Sequence, residues 1–101
     1  MKLGLFGGSF DPVHLGHLLV AQAACEEFGL DWLCFIPAAQ SPFKPGTTPA
    51  PADARLQLLR LALAGRPRYE VDPQEITRGG VSYTIDTVRE YQRRLPGTHL
   101  F

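Results

Sequence analysis

The stretch GLFGGSFDPVHLGHL, residues 4–18, joins a short apolar run to a glycine-containing loop and then to two histidines. The apolar residues before Gly7 and Gly8 predict a buried strand that ends at the glycines. A helix is predicted from Leu15 to Phe28, because apolar residues recur there on one face and Gly29 is a natural helix end. The stretch therefore predicts a strand, a loop and a helix in succession, which is the opening unit of an α/β domain.

The rest of the chain continues the same alternation. A second strand is predicted at Trp32–Ile36, and a loop with five prolines follows from Pro37 to Pro51. Asp53 is the predicted N-cap of a second helix, in which leucines align on one face. The later elements are a short third strand in YEVDPQEITR with an irregular extension, a third helix capped by Ser82 or Thr84, and the start of a fourth strand in THLF. This order predicts a three-layer α/β fold with a parallel sheet.

Composition limits the possible functions. The chain has 101 residues, enough for one domain, and its net charge of zero gives no general attraction to nucleic acid or to a membrane. Cys25 and Cys34 fit no common zinc spacing and are predicted to be buried free thiols in a reducing compartment. The N-terminal residues lack the pattern of a signal peptide, and no apolar stretch approaches the ~20 residues of a membrane span. We therefore expect a cytoplasmic protein that binds neither nucleic acid nor membrane.

The residues between the first strand and the first helix are typical of a phosphate site. Ligands bind beyond the carboxyl ends of parallel strands, where a helix N-terminus offers unpaired N–H groups and the positive end of its dipole. His14 and His17 are three residues apart and so project from one face, and Gly16 leaves room for a nucleotide against the backbone. Imidazoles donate hydrogen bonds to phosphate oxygens. The stretch is neither a GxGxxG fingerprint nor a P-loop. The plainer alternative is a glycine turn beside two ordinary histidines.

Several stretches together carry a resemblance to a known family. GGSFDPVHLGH resembles the signature of the nucleotidyltransferases that share an HxGH motif, which transfer a nucleoside monophosphate from ATP or CTP to a phosphate acceptor. IPAAQSPFKP, ARLQLLRLAL and RGGVSYTIDTV are similar to stretches of the bacterial nicotinate mononucleotide adenylyltransferases, and the similarity runs along all 101 residues. The resemblance implies a Rossmann-like nucleotidyltransferase fold. It also implies transfer of the adenylyl group of ATP to nicotinate mononucleotide, giving deamido-NAD and pyrophosphate in NAD biosynthesis.

The resemblance implies roles for individual residues. His14 and His17 would be catalytic: they would bind the ATP phosphates and stabilise the transferring phosphoryl group, with no enzyme nucleophile. Mg²⁺ is the implied cofactor, held mainly through ATP without metal-ligating residues of the chain, and Asp11 would either reach its water or cap the turn. The implied ligand-binding residues form two sets: for ATP, Gly7, Gly8, Ser9, Phe10, His14, Gly16 and His17; for the acceptor, Lys44, Tyr83 and Thr84.

The residue types around the implied acceptor site support its preference for an anion. A turn that enters a helix at GVSYT supplies backbone donors and a positive dipole end, which favour a carboxylate over a carboxamide. A packing role for Tyr83 and a solvated position for Lys44 stay open as alternatives. Arg55, Arg60 and Arg78 are predicted to be exposed or helix-packing charges.

The chain departs from the family pattern at two places. Phe43 stands where family members usually carry a histidine before the loop lysine, which leaves one phosphate or loop contact open. Family members also continue past the fourth strand to a later ISxTxxR-type motif, which does not follow Phe101. We therefore expect residues 1–101 to be a nucleotidyltransferase domain whose C-terminal part is missing, truncated in or near the fourth strand. Such a sheet would expose an apolar edge through which a homo-oligomer could form.

Other functions stay open from the sequence. Within the superfamily, the acceptor could be nicotinamide mononucleotide or phosphopantetheine, although RGGVSYTIDTV counts against the latter. In a different class, the chain would be a non-catalytic nucleotide-binding fragment rather than a working enzyme. A dehydrogenase domain is excluded, because the glycine fingerprint and an acidic residue at the end of the second strand are both absent.

Overall fold

The computed structural model describes residues 1–39 and 50–101, within which strands and helices alternate as the sequence predicts. The segment after the third strand, predicted to be irregular, forms a short helix of its own. The elements in chain order are β1 (Lys2–Gly8), α1 (Leu15–Phe28), β2 (Trp32–Pro37), α2 (Ala52–Leu63), β3 (Tyr69–Val71), α3 (Gln74–Arg78), α4 (Thr84–Arg94) and β4 (His99–Leu100).

The four strands form one parallel sheet in the order β3-β2-β1-β4. Along β1 the pairing with β2 runs as far as Gly8, which lies opposite Pro37. The other edge of β1 pairs with β4, where Lys2 lies opposite His99. The chain moves outward from β1 to β3 and then returns across β1 to β4, so the strand order reverses beside β1. The predicted α/β fold with a parallel sheet is confirmed. The reversal also creates a topological switch point at the end of β1, where such folds bind ligands.

Helices cover both faces of the sheet and give the fold three layers. On one face, Leu33 and Phe35 of β2 belong to a buried cluster that includes residues of α1 and α2. On the other face, Cys34 and Ile36 cluster with Tyr91 of α4. Successive residues of β2 therefore serve the two layers in turn, because side chains along a strand point alternately to opposite faces.

Helix α1 has the predicted bounds and the predicted end. Gly29 is left-handed, with φ 61°, and its N–H donates to the carbonyl oxygen of Cys25, which completes the last turn. Leu30 follows and is buried, so the turn returns the chain to the core. None of the helices within residues 1–39 and 50–101 combines the length and the apolar character that crossing a membrane requires.

The start of α2 differs from the prediction. Asp53 is not the N-cap, because the helix already begins at Ala52 and Pro51 is the residue before it. The φ of Pro51 is −52°, and a fixed φ in this range leads the chain into a helix without a capping side chain. Asp53 instead lies in the first turn, where a negative charge is favourable near the helix N-terminus.

The start of α4 also differs from the prediction, since neither Ser82 nor Thr84 caps it. Tyr83 is the residue before the helix, Thr84 is the first helical residue, and no side chain accepts a hydrogen bond from this first turn. The hydroxyl of Ser82 accepts from the backbone N–H of Ala39 at 3.0 Å instead. This bond holds the loop before α4 against the chain that leaves β2.

The two cysteines are both free thiols, but only one of them is buried as predicted. Cys34 lies in the core beneath α4, whereas Cys25 is half-buried because it lies near the end of α1, at the margin of the core. Burial raises the pKa of both thiols above the ordinary value.

Candidate active site

The loop between β1 and α1 is held in place by the side chain of Phe10. Its ring is only 1% exposed and packs against the rings of Phe6, Phe35 and His17, with centroids 5.3, 5.7 and 4.9 Å away. The backbone at Phe10 is left-handed, with φ 46°, a conformation that costs a non-glycine residue about 1–2 kcal/mol. Burial of a large aromatic side chain stabilises by about 1.5–3 kcal/mol and offsets this cost. The buried ring therefore fixes the backbone of the loop at the carboxyl end of β1.

Helix α1 begins with a capping box made of two histidines. His14 is the N-cap residue, and its Nδ1 accepts a hydrogen bond from the N–H of Gly16 at 3.0 Å. His17 reaches back, and its Nδ1 accepts from the N–H of His14 at 3.1 Å. The two ring centroids are 4.0 Å apart. The residues predicted to be catalytic thus also cap the helix, a reciprocal arrangement that Ser or Thr and Glu or Gln form elsewhere.

The capping hydrogen bonds set the tautomer of both imidazoles. A ring nitrogen that accepts from an N–H group carries no proton, so each neutral ring has its proton on Nε2. Both His14 and His17 therefore offer an Nε2–H donor to a ligand. Burial, together with repulsion from His14, lowers the pKa of His17 below its ordinary value. His17 is consequently a neutral donor near pH 7.

Gly16 is required by the histidine cap itself. A Cβ atom at this position would stand 2.8 Å from Cε1 and 2.9 Å from Nδ1 of His14, both too close for a real contact. A side chain here would displace the His14 ring and break the cap. The space on that side of Gly16 is therefore occupied by an imidazole, where the sequence predicted room for a nucleotide.

A cavity of about 290 Å³ lies at the carboxyl ends of β1 and β2, against the start of α4. This is the switch point of the sheet, where α/β folds bind ligands. Three of its lining residues come from the end of β1 and the loop after it, one comes from α3, and two come from the first turn of α4. These residues are Gly7, Gly8, Ser9, Glu75, Thr84 and Thr87.

Glu75 is a buried acidic residue in the cavity wall that the sequence did not predict. It is 7% exposed, and its Oε2 accepts a hydrogen bond from the hydroxyl of Thr87, which is also buried. The bond joins α3 to the first turn of α4. Nothing in the sequence pointed to Glu75, because the segment around it has too few residues to show a helical period.

Arg55 is buried, so of the two alternatives predicted for it, an exposed or a helix-packing charge, the exposed one is wrong. Its guanidinium donates to three backbone carbonyl oxygens: Nε to Ala50 at 3.0 Å, and Nη1 to Ser9 at 2.9 Å and to Ala38 at 2.7 Å. Arg55 thus holds together the loop after β1, the end of β2 and the start of α2. One signal could have revealed it, since Arg55 shares the buried face of α2 with Leu59 at a spacing of four residues.

Asp11 accepts a hydrogen bond from the N–H of Ala50 at 3.0 Å. The sequence left open whether it would cap the turn or reach metal-bound water, and this contact instead joins the loop after β1 to the start of α2. Within residues 1–39 and 50–101, no three His, Cys, Asp or Glu side chains gather closely enough to hold a metal ion.

The predicted site residues fall into two adjoining groups. The lining of the cavity includes the predicted residues Gly7, Gly8, Ser9 and Thr84. The histidine pair with Gly16 stands at the start of α1, and Phe10 joins the two groups because its ring contacts His17 while its backbone follows Ser9.

The remaining predicted residues are either not members of these two groups or lie outside the described residues. Tyr83 is 53% exposed and is not part of the described cavity lining. Arg60 and Arg78 are exposed, as predicted. Lys44 and Phe43 lie outside the described residues.

Fold and site together define a class of protein. A switch point at the end of β1, a fixed loop beside it and two imidazole donors at a helix N-terminus are the features of an α/β nucleotide-binding domain. Comparison with known proteins narrows this class. The cytidylyltransferase-like family model matches residues 5–96, and the chain belongs to this family.

Curated relatives confirm the resemblance that the sequence motifs indicate. The chain is 48% identical over 101 residues to a protein of Opitutus terrae, and 55% identical over 100 residues to one of Gemmatimonas aurantiaca. Both relatives are named "Probable nicotinate-nucleotide adenylyltransferase". These matches cover 100% and 99% of the chain but 52% and 47% of the relatives, so the chain spans about half of their length.

A solved structure confirms the predicted nucleotidyltransferase fold. The chain matches the Plasmodium falciparum nicotinic acid mononucleotide adenylyltransferase complexed with NaAD, with a TM-score of 0.82 over 98% of this chain and 49% of that one. The sequences are 12% identical, so this likeness concerns the fold alone.

Proposed function

We propose that the chain carries the nucleotide site of a nicotinate-nucleotide adenylyltransferase, which transfers the adenylyl group of ATP to nicotinate mononucleotide and yields deamido-NAD and pyrophosphate. One observation carries the proposal: two imidazoles, held by a capping box with Nε2 free to face a ligand, stand beside the loop at the switch point of the sheet. The names of the relatives, at about half identity along the whole chain, support the choice of acceptor.

In the proposed reaction the chain's residues position the reactants and stabilise charge. The acceptor's phosphate oxygen attacks the α-phosphorus of ATP, the bond to the β-phosphate breaks, and pyrophosphate leaves. Nε2–H groups of His14 and His17 donate to phosphate oxygens as negative charge gathers on them, and the backbone of Gly8 and Ser9 borders the phosphates. Fixed donors of this kind need no reorganisation during the reaction. No enzyme nucleophile is required, because the acceptor's phosphate oxygen attacks the α-phosphorus directly.

The cavity is the proposed site of the acceptor. The start of α4 faces it through Thr84, and the dipole of that helix favours an anionic group such as the nicotinate carboxylate. Tyr83 and Lys44 are proposed to complete this site. Mg²⁺ would accompany ATP, bound mainly by phosphate oxygens and water, and would offset part of the phosphate charge. We also propose a cytoplasmic protein, in keeping with its two free thiols.

A second candidate function is nucleotide binding without turnover. It draws on the same feature, the two imidazole donors at the start of α1, which can bind phosphate whether or not transfer follows. In that case the chain would bind ATP at the histidine pair but would not transfer the adenylyl group. Turnover by the 101-residue chain separates the two candidates.

The test measures pyrophosphate released from ATP and Mg²⁺ by the 101-residue chain, with nicotinate, nicotinamide and phosphopantetheine acceptors compared. His17→Ala is the test variant. His99→Ala is the matched control, because His99 is exposed on β4 and pairs with Lys2 at the opposite end of β1. ATP affinity is measured beside turnover by isothermal titration calorimetry.

We expect release with nicotinate mononucleotide, a loss of about 100-fold or more in His17→Ala, and no change in His99→Ala. ATP binding that depends on His17, without release, would favour the second candidate. A chain that neither binds ATP nor releases pyrophosphate, although folded by circular dichroism, would contradict both.

A further inference from the structure

Glu75 is a buried acidic residue in the cavity wall, and its one described side-chain hydrogen bond is to Thr87. Its carboxylate lines the cavity, and no Lys, Arg or His within the described parts of the chain comes within 4.0 Å of it. Burying a carboxylate is unfavourable unless it is paired or fully hydrogen-bonded. Buried acidic residues without an ion-pair partner concentrate at functional sites, where they face a ligand.

The orientation of Glu75 is fixed by its neighbour. The hydroxyl of Thr87 donates to Oε2, and Thr87 itself is 3% exposed in the first turn of α4. The end of α3 is fixed as well, since the N–H of Gly79 donates to the carbonyl oxygen of Glu75. The carboxylate is thus presented to the cavity by two structural elements rather than by a mobile side chain.

The chemistry of a carboxylate decides what can face it. An ionised carboxylate only accepts hydrogen bonds, and it has about four acceptor positions, of which Thr87 uses one. A ligand group in contact with Glu75 must therefore be a donor, such as a hydroxyl or an amide. An anionic group would be repelled by Glu75 and attracted to the start of α4 at Thr84. One wall of the cavity, at Glu75, consequently accepts hydrogen bonds, and another wall, at Thr84, favours anions.

A nicotinate ribonucleotide matches both walls, because it carries a carboxylate at one end and a ribose with two hydroxyls beside its ring. We propose that the Glu75 carboxylate accepts a hydrogen bond from a ribose hydroxyl of the mononucleotide acceptor, with Thr87 as the positioning residue that holds the carboxylate in place. This inference rests on the proposed function and adds a specificity-determining contact to it. Glu75 then selects ribonucleotide over deoxyribonucleotide acceptors.

The test compares ribose and deoxyribose forms of one ligand. Affinities of the 101-residue chain for nicotinate mononucleotide, for its 2′-deoxy and 3′-deoxy analogues and for nicotinamide mononucleotide are measured by calorimetry. The protein forms are the wild type, Glu75→Met, which removes the acceptor at similar volume, and Glu75→Gln, which keeps a neutral acceptor. Glu70→Gln is the matched control, because Glu70 is an exposed carboxylate on the neighbouring strand. ATP affinity reports whether each variant still has its histidine site.

We expect the wild type to bind the ribonucleotide about tenfold or more tightly than one of the deoxy analogues, the effect of a hydrogen bond to a charged group. Glu75→Met should weaken ribonucleotide binding to the level of that analogue and leave the analogue itself unchanged. Glu75→Gln should restore part of the difference, and Glu70→Gln should behave as the wild type. ATP affinity should stay within about twofold in every variant.

Four results would overturn the inference. The first is a wild type that binds the ribose form and both deoxy forms with equal affinity. This result does not depend on the folding of any variant. Alternatively, Glu75→Met would weaken all three ligands by the same factor, the mark of a purely structural residue. If instead nicotinamide mononucleotide lost the most affinity in Glu75→Met, the carboxylate would contact the ring amide and not the ribose. A wild type that binds ATP but no nicotinate mononucleotide would overturn the proposed acceptor together with this inference, whereas the first three results leave that acceptor in place.

Discussion

Helices α1 and α4 both begin at the edge of the sheet where the strands have their carboxyl ends, yet their first turns are completed in opposite ways. The first turn of α1 is closed by side chains of its own, since His14 and His17 accept from the backbone N–H groups there. The first turn of α4 has no side-chain cap. Every helix start has N–H groups without partners inside the helix. α1 therefore offers imidazole donors to a ligand, whereas α4 offers its backbone and dipole.

The loops that lead into the two helices also differ in how firmly each is held. The loop before α1 is anchored by the buried ring of Phe10 and by the Arg55 guanidinium on the carbonyl oxygen of Ser9. Among residues 1–39 and 50–101, the side-chain hydrogen bond that anchors the loop before α4 is a neutral one, from the Ala39 N–H to Ser82. The proposed catalytic donors thus stand on the more firmly held loop, which suits groups that must be in place before the reaction begins.

The largest expected effect comes from removing the anchor of the first loop. Arg55→Met should lower the free energy of unfolding by about 3 kcal/mol, because it leaves three backbone carbonyls without their donor. Urea denaturation measures the change. Arg60→Met on the exposed side of α2 is the control and should change stability by at most about 0.5 kcal/mol. Equal effects of the two substitutions would mean that Arg55 does not anchor the loop.

The second prediction separates the two roles of His14, capping and donation. Asparagine is a good N-cap residue but lacks the Nε2–H donor, whereas alanine lacks both. His14→Asn should therefore keep the stability of the wild type, and His14→Ala should lose about 1 kcal/mol. Both should lower pyrophosphate release by about 100-fold. Turnover that follows stability through the two variants would show that His14 acts only as a cap.

The third prediction concerns the loop before α4. Ser82→Ala removes the acceptor of the Ala39 N–H and should lower the free energy of unfolding by about 1 kcal/mol. Amide hydrogen exchange is the sharper measurement, because the protection of that one N–H should fall most. Thr77→Ala, at an exposed position of α3, serves as the control. If the exchange rate at Ala39 stayed the same, the contrast between the two loops would disappear.

The smallest effect is expected from pH. The pKa of His17 is lowered in the folded protein, so between its folded and its ordinary value, about 6.5, the unfolded chain binds more protons. The stability that His17 contributes is present above the ordinary pKa and is lost as the pH falls through the folded pKa. The denaturation midpoint of the wild type should decrease as the pH is lowered from 7.5 to 5. The decrease should be smaller in His17→Gln. A His17→Gln slope as steep as that of the wild type would contradict the cause assigned here.

The sequence predicted those parts of the fold that depend on local patterns. The glycine after α1 fixes the end of that helix, and the strand–helix alternation fixes the parallel sheet. The site residues at the end of β1 were predicted for the same reason, since they lie in one short stretch.

The missed residues depend on contacts between distant parts of the chain. The carbonyl partners of Arg55 at Ala38 and Ser9 are 17 and 46 residues away in the sequence, and backbone carbonyls leave no sequence signal. Glu75 lies on a helix of only five residues, too short for a periodic pattern. Ser82 was expected to serve its own helix, but a partner 43 residues away takes its hydroxyl.

The histidine capping box also bears on which inorganic ions the pair can bind. Zn²⁺, Ni²⁺ and Cu²⁺ coordinate a lone pair of a neutral imidazole, and in His14 and His17 the Nδ1 lone pairs already accept backbone N–H groups. Coordination through Nε2 would require the proton to move to Nδ1, where it would face an N–H group and break the cap. The start of α1 therefore discriminates against transition metals while remaining open to oxyanions, and it does so through the geometry of a helix end.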